Sequence, residues 1–454
     1  MIKDLTVGKP AKVLFLFALP LLLSTVFQQL YNIADSMIAG RFVGEDALSA
    51  VGASYPITMI FMAIGLGANI GVSVVVSRLF GAKRMKDVKE AVNTAFISIA
   101  VLSILLTALG LLISKPLLRL LGTPDNIFGD SLAYLNIYIG GLISLFMYNV
   151  ATGIFSALGD SKTPLIFLIG SSIGNIILDI ILVVPIKLGV QGVAWATFIA
   201  QSIAAILAVT ALALRIKKIE TEQKSRIFSV KMLKSLSYLS IPSILQQSFI
   251  SVGGIIIQGL INSYDSSSMI AGYSAAIKLN TFAIMTFTTL ANGLSSYTAQ
   301  NIGANNFIRV KQGYKAMCLM ATAVVVPFVV FFAAFPNAAL KLFIENPSEL
   351  AMKTGRDFLI IVSPFYFSIA IKLVSDAILR GSGKMFPFMI STFADLFLRI
   401  VLAYVFNEFW GSVGIWISWP VGWVASTVMT VAFCLSGVWK KQGKRKSSDT
   451  ALEQ

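Results

Sequence analysis

The chain has 454 residues, 56% apolar and only 13% charged, with a mean hydropathy of +0.82. A soluble domain carries about 25% charged residues, so a water-soluble globule is excluded. With no His and only two Cys, zinc, haem and Ser-His-Asp chemistries lack their ligands, and no enzyme, cofactor or metal site is expected.

Apolar runs of about 20 residues, the length that crosses a hydrocarbon core, recur along the whole chain. They predict twelve spans, at 13–38, 50–76, 91–114, 131–156, 164–186, 189–214, 236–261, 268–298, 316–335, 355–380, 386–408 and 411–436. The first run carries Pro20 and leads into polar sequence, so it does not resemble a cleavable signal peptide. The formal charge of +15 would suggest nucleic acid until it is placed on this topology. With the N-terminus inside, and the span-edge Arg356 and Arg380 counted with their adjoining loops, 26 of the 36 Lys and Arg fall in cytoplasmic segments, seven in external loops and three in spans. That is the positive-inside bias. It predicts a multi-pass protein of the plasma (inner) membrane with both termini cytoplasmic, its partners membrane lipid and not nucleic acid. Cys318 and Cys434 sit in separate apolar runs and imply neither disulfide nor metal.

A shift of 222 positions superposes the second half of the sequence on the first. Pro20 falls on Pro242, Ala53 on Ala275, Ser73 on Ser295, and Gly81-Ala82 on Gly303-Ala304. Lys89 falls on Lys311, Gly159 on Gly381, Lys162 on Lys384, and Gly189 and Gly192 on Gly411 and Gly414. Paired Gly, Pro and Lys at one constant offset are not a chance match between apolar segments. Six spans per half is an even number, so the repeat is parallel. The fold expected is an all-α membrane protein of twelve transmembrane helices in two pseudo-symmetric six-helix lobes. The divisions are 1–214, a cytoplasmic linker 215–235, 236–438 and a basic tail 439–454. Such a duplication suits a transporter, whose lobes close alternately on either side of a midplane site.

Ionisable groups inside spans carry the sharpest functional signal, because each costs about 2.5–3.5 kcal/mol or more at the bilayer centre. In the second half, Lys372 precedes Asp376 by four positions and Asp395 precedes Arg399 by four, which predicts structural ion pairs. In the first half, Asp35 and Asp179 have no basic residue within a helical turn. Gln28, Tyr31, Asn32 and Asp35 share one face of span 1, Asn175 and Asp179 stack on span 5, and Thr197 and Gln201 stack on span 6. A buried carboxylate in such company takes up a proton or holds a hard cation such as Na⁺. A bland alternative is a protonated Asp that only hydrogen-bonds Asn175. Asn149, Gln246, Gln247 and Lys278 are further polar groups expected to line or support a substrate cavity.

Several segments are similar to the multidrug and toxic compound extrusion family. They are Leu30-Tyr31-Asn32-Ile33-Ala34-Asp35 with Gly40-Arg41-Phe42-Val43-Gly44, and Asn175-Ile176-Ile177-Leu178-Asp179 followed by Gly189 to Thr197. Gln300-Asn301-Ile302-Gly303-Ala304 and Leu379-Arg380-Gly381-Ser382-Gly383-Lys384 extend the likeness almost to the tail. The resemblance implies a two-lobed exporter of drugs and other small organic cations, acting as a monomer against inward H⁺ or Na⁺. It implies a coupling site at Asp35, Asn175, Asp179 and Thr197, the cluster already singled out. Two departures stand out. Span 7 offers Gln246, Gln247 and Gln258 where relatives place a Glu, and Lys278 is followed by Asn280 where relatives often have an acid. The alternatives are a lipid-linked glycan flippase, which needs a basic chamber that this sequence does not supply, and a non-transport membrane protein such as a receptor, channel or intramembrane enzyme.

Overall fold

A computed structural model describes residues 3–38, 42–43, 45–221, 224–343 and 347–440, and the side chains of 32–37 and 45–48 lie outside the described set. The first half holds α1 (Pro10–Ile38), α2 (Glu45–Gly81), α3 (Met85–Leu120), α4 (Asp125–Gly140), α5 (Leu142–Ala157), α6 (Lys162–Val183) and α7 (Gly189–Lys217). The second holds α8 (Val230–Asn262), α9 (Ser267–Gly303), α10 (Phe307–Ala334), the short α11 (Pro336–Lys341) and α12 (Glu349–Val362). It ends with α13 (Tyr366–Gly381), α14 (Met385–Trp410) and α15 (Ser412–Leu435).

Two spans are interrupted. α4 and α5 meet at Gly141 with a bend of 47°, and α12 runs into α13 through a 3₁₀ turn at Ser363–Phe365, where Pro364 withholds a backbone donor. Among the described residues ten helices are long and apolar enough to cross a membrane, and the bent pair makes eleven. The twelfth span is α9, whose 37 residues include Lys278, Asn280, Asn292, Gln300 and Asn301 and dilute its hydropathy. It tolerates Asn280, Asn292, Gln300 and Asn301 because it is an interior helix packed by α1, α2, α10, α12 and α13, while Lys278 stays exposed. The helices also overrun the predicted spans: α2 covers 45–81 where 50–76 was expected. The two six-span halves face each other as a parallel repeat.

The lobes meet through α2, α8, α9 and α1, in contacts that repeat about the pseudo-twofold axis. At the basic-rich end, a Cβ on Gly81 would run into the Gln300 carbonyl, and a Cβ on Gly303 would run into the Arg78 carbonyl. Gly81 and Gly303 are equivalent under the 222-residue shift, and so are Arg78 and Gln300. Glycine at both places lets the backbones touch. Next to this contact the N-terminal segment crosses from lobe to lobe. Lys3 N donates to Leu158 O at 3.1 Å in the first lobe. Leu5 N donates to Gln300 Oε1 at 2.9 Å, and Gln300 Nε2 donates to Ala157 O at 2.7 Å. Arg309 of the second lobe donates to Gly8 O at 2.6 Å. The cleft is therefore shut at this end.

The same end holds the cap of α6. Asp160 Oδ1 accepts from the backbone N–H of Lys162 and of Thr163, both at 3.1 Å, while Arg215 of α7 pairs with Oδ2. Burial pushes the Asp160 carboxyl up, but Arg215 and Thr163 outweigh it and hold the group below its ordinary value. A carboxylate shifted downward contributes stability above its unfolded pKa and loses it as pH falls through the folded one. Asp160→Ala is thus expected to lower stability by about 1–3 kcal/mol at neutral pH. The difference should shrink below about pH 4, as read from melting temperatures in detergent.

A second test addresses the glycine contact. Gly303→Val forces α9 off the α2 backbone, and overpacking of this kind costs about 1–3 kcal/mol. Spin labels on the two lobes at this end should show the closed population falling by roughly tenfold. An unchanged distance distribution would contradict the contact's role.

Candidate functional site

Helix α6 carries its polarity on the inside. Ser172, Asn175 and Asp179 follow helical spacing and are buried, with Asp179 at 0% exposure, whereas Ile166, Ile173, Ile177 and Ile180 are exposed. That is the reverse of a soluble amphipathic helix, as a span facing lipid requires. The buried stripe lies where α6 packs against α7 on one side and α1 on the other.

Three of the four expected coupling residues come together there. With its amide oriented to satisfy both ends, Asn175 donates to Asp179 Oδ2 at 2.9 Å and accepts from the Thr197 backbone N–H at 3.1 Å. One amide thus ties a carboxylate on α6 to the backbone of α7. Asp35, the fourth, is on α1 with Asn32, and both side chains lie outside the described residues. Gln28 is exposed one turn or two before them, Tyr31 is half-buried, and Gln201 is half-buried one turn beyond Thr197.

The other polar residues separate. The Asn149 side chain bonds its own helix, Nδ2 donating to Leu145 O at 2.8 Å, and the Asn149 backbone carbonyl accepts from Asn69 of α2 at 2.8 Å. Gln246 is buried and Gln247 half-buried on α8. Lys278 is exposed on α9 with its Nζ 6.0 Å from the Phe343 ring centroid. Asn280 turns the other way and accepts from the Tyr366 hydroxyl at 3.0 Å.

In the second lobe Lys372 Nζ lies 2.8 Å from Asp376 Oδ2, with exposures of 3% and 1%. Thr392 and Ser391 of α14 flank the pair. Arg399 lies 3.7 Å from Asp395 and stacks its guanidinium 4.6 Å from the Trp419 ring centroid. A further group joins the first pair. Arg380, also buried, continues the α13 face of Lys372 and Asp376, donates to Asn292 of α9 at 3.1 Å and sits over the Phe388 ring. The i, i+4, i+8 spacing of 372, 376 and 380 could have revealed it, but Arg380 falls at the span edge, where it reads as an ordinary flanking cation. The described interior of this lobe therefore pairs its acids with cations. The described interior of the first lobe joins its acid to an amide.

The family model MatE matches residues 20–181 and 242–405, two segments that begin 222 positions apart. The probable multidrug resistance protein YoeA of Bacillus subtilis is 27% identical over 437 residues, covering 94% of both chains. An FAD transporter of Shewanella oneidensis is 25% identical over 354 residues, 75% of each chain. The solved structure of a MOP superfamily transporter from Pyrococcus furiosus superposes with a TM-score of 0.90 at 21% identity, covering 97% of this chain and 98% of that one. The two matched segments, the full-length relatives and the shared two-lobed architecture agree, and the chain belongs to the MatE family of multidrug and toxic compound extrusion transporters.

Proposed function

We propose that the chain is a secondary active multidrug exporter that antiports small organic compounds against H⁺ or Na⁺ by alternating access. The observation that carries this reading is the Asn175 amide, which links buried Asp179 to the Thr197 backbone. A buried ionised carboxylate is costly unless it is compensated. A proton or Na⁺ arriving at Asp179 adds to that compensation and competes for the oxygen that Asn175 now holds. Loading the ion therefore changes the link between α6 and α7, and Asp35 on the neighbouring α1 completes the site. In the proposed orientation the basic-rich end faces the cytoplasm of the plasma membrane. The closed contact at Gly81 and Gly303 then makes this the outward-open state, the one that takes up the ion and expels cargo. The membrane potential adds about 2.3 kcal/mol per inward charge per 100 mV.

Lipophilic organic cations are the proposed cargo, held by apolar and aromatic walls. A second reading rests on Lys278, exposed on α9 beside Phe343, which would meet a negatively charged cargo. The relative that transports FAD supports this second reading. Efflux of a cationic dye and of a flavin dinucleotide from the same proteoliposomes separates the two.

Asp179→Asn keeps the shape of the site and removes its charge. We expect drug-driven ion flux in proteoliposomes to fall at least tenfold for Asp179→Asn and for Asp35→Asn, and undiminished coupled efflux in both would overturn the reading. Running the assay with and without Na⁺ at fixed pH identifies the ion.

The Lys372–Asp376 pair is proposed to be structural. Asp376→Asn alone leaves two buried cations short of a counter-charge and should cost about 3–5 kcal/mol. Lys372→Met combined with Asp376→Leu should recover most of that and still transport. Loss of coupling in a well-folded double variant would instead assign the pair to the transport cycle.

A further inference from the structure

Helices α3 and α7 both pack against α5 but leave a gap between themselves, and at the basic-rich end this gap opens into a cleft of about 250 Å³. The cleft is graded along its depth. Lys89 and Lys217 stand at the mouth, Asn93 comes one turn further in, and Phe96, Val209 and Ala213 form the apolar interior. From Lys89 to Phe96 is about 10 Å of helix rise. Neither lysine has a carboxylate partner among the described residues, whereas nearby Arg84 and Arg215 pair with Asp87 and Asp160. Two free ammonium groups above an apolar slot, between helices at the level of one leaflet's surface, match a lipid whose headgroup is anionic.

The repeat supplies an internal control. In the second lobe the 222-residue shift puts Lys311 at the position of Lys89, Tyr314 at Val92, Leu435 at Ala213 and Trp439 at Lys217. There the chain fills the space itself. Trp439, just beyond α15, is 6% exposed, donates to Cys434 O at 3.0 Å and packs on Phe307 of α10, while Tyr314 of α10 hydrogen-bonds Ser375 of α13 at 2.8 Å. The same architectural gap is plugged by aromatic side chains in one lobe and left open under lysines in the other. We propose that the α3–α7 cleft is a binding site for an anionic phospholipid of the leaflet at the basic-rich end, held by Lys89 and Lys217. The site is independent of the ion-coupling reading.

Native mass spectrometry of the full chain in detergent tests this, with phosphatidylglycerol and phosphatidylcholine of identical acyl chains as probes. The wild-type chain should retain phosphatidylglycerol in preference to phosphatidylcholine. Lys89→Gln with Lys217→Gln should weaken that retention roughly tenfold or more. Ala213→Trp should abolish it with both lysines intact, and Ala213→Leu, the residue of the filled counterpart, serves if the tryptophan does not fold. Lys311→Gln in the filled lobe should change nothing. Equal retention of the two lipids, or phosphatidylglycerol retained by the folded lysine or Ala213 variants as in wild type, would overturn the proposal. So would displacement of the lipid by excess inorganic phosphate, which would point to a soluble anion.

Discussion

The contact on which the architecture depends is the meeting of α2 and α9 at Gly81 and Gly303. Each glycine admits the partner helix's backbone, and the two approaches exchange under the repeat. Because the contact is between backbones, it leaves almost no side-chain slack: the lobes are either in register here or apart. Interfaces of this kind are bistable more than deformable. The polar groups beside it reinforce that property. Gln300 bonds the N-terminal segment through its oxygen and the end of α5 through its nitrogen, so one amide spans three pieces of chain. Separating the lobes breaks several hydrogen bonds together, in a region that water can reach and compensate.

Deeper in the membrane no such compensation exists, and each lobe must satisfy its polar groups internally. The two lobes solve this differently. In the second, Lys372 neutralises Asp376 at 2.8 Å, Arg380 adds a cation on the same helix face, and Arg399 stands by Asp395 under Trp419. A pair closed on itself has little reason to exchange a partner. In the first lobe, Asp179 takes a neutral amide donor that is itself shared with Thr197. A neutral donor stabilises the carboxylate less than a cation would, so a proton or Na⁺ can compete with it. The same residue type is thus buried in both lobes with opposite consequences, set by the neighbour one turn away.

Much of this was legible beforehand. Twelve spans followed from hydropathy, the repeat from Gly, Pro and Lys at one offset, and the Asn175–Asp179 stack from helical spacing. What escaped the sequence did so for physical reasons. The polarity of α9 makes sense only once five helices are seen to cover it. Arg380 lies at the span edge, where composition cannot distinguish a buried cation from one that reaches water. Asn149 resembles a cavity residue until its side-chain amide is found bonded to the Leu145 carbonyl one turn back on its own helix. The Gln300-Asn301 segment was readable as a family pattern, but its role in holding the N-terminal segment between lobes is a matter of contacts between residues about 295 positions apart.

Duplication makes the halves alike in backbone, yet each asymmetry between them falls where a shared fold leaves a choice. The repeat dictates where α5 separates α3 from α7 and where α13 separates α10 from α15, and it does not dictate what fills the gap. Trp439 fills one and Lys217 borders the other. The buried acids are not repeat equivalents, since Asp179 falls on Val401 and Asp376 on Ile154, so the repeat dictates neither where an acid is buried nor whether a lysine or an asparagine faces it. A symmetric scaffold supplies two states of similar energy. In the proposed cycle, unequal side chains make one lobe respond to an ion and leave the other as its counterpart.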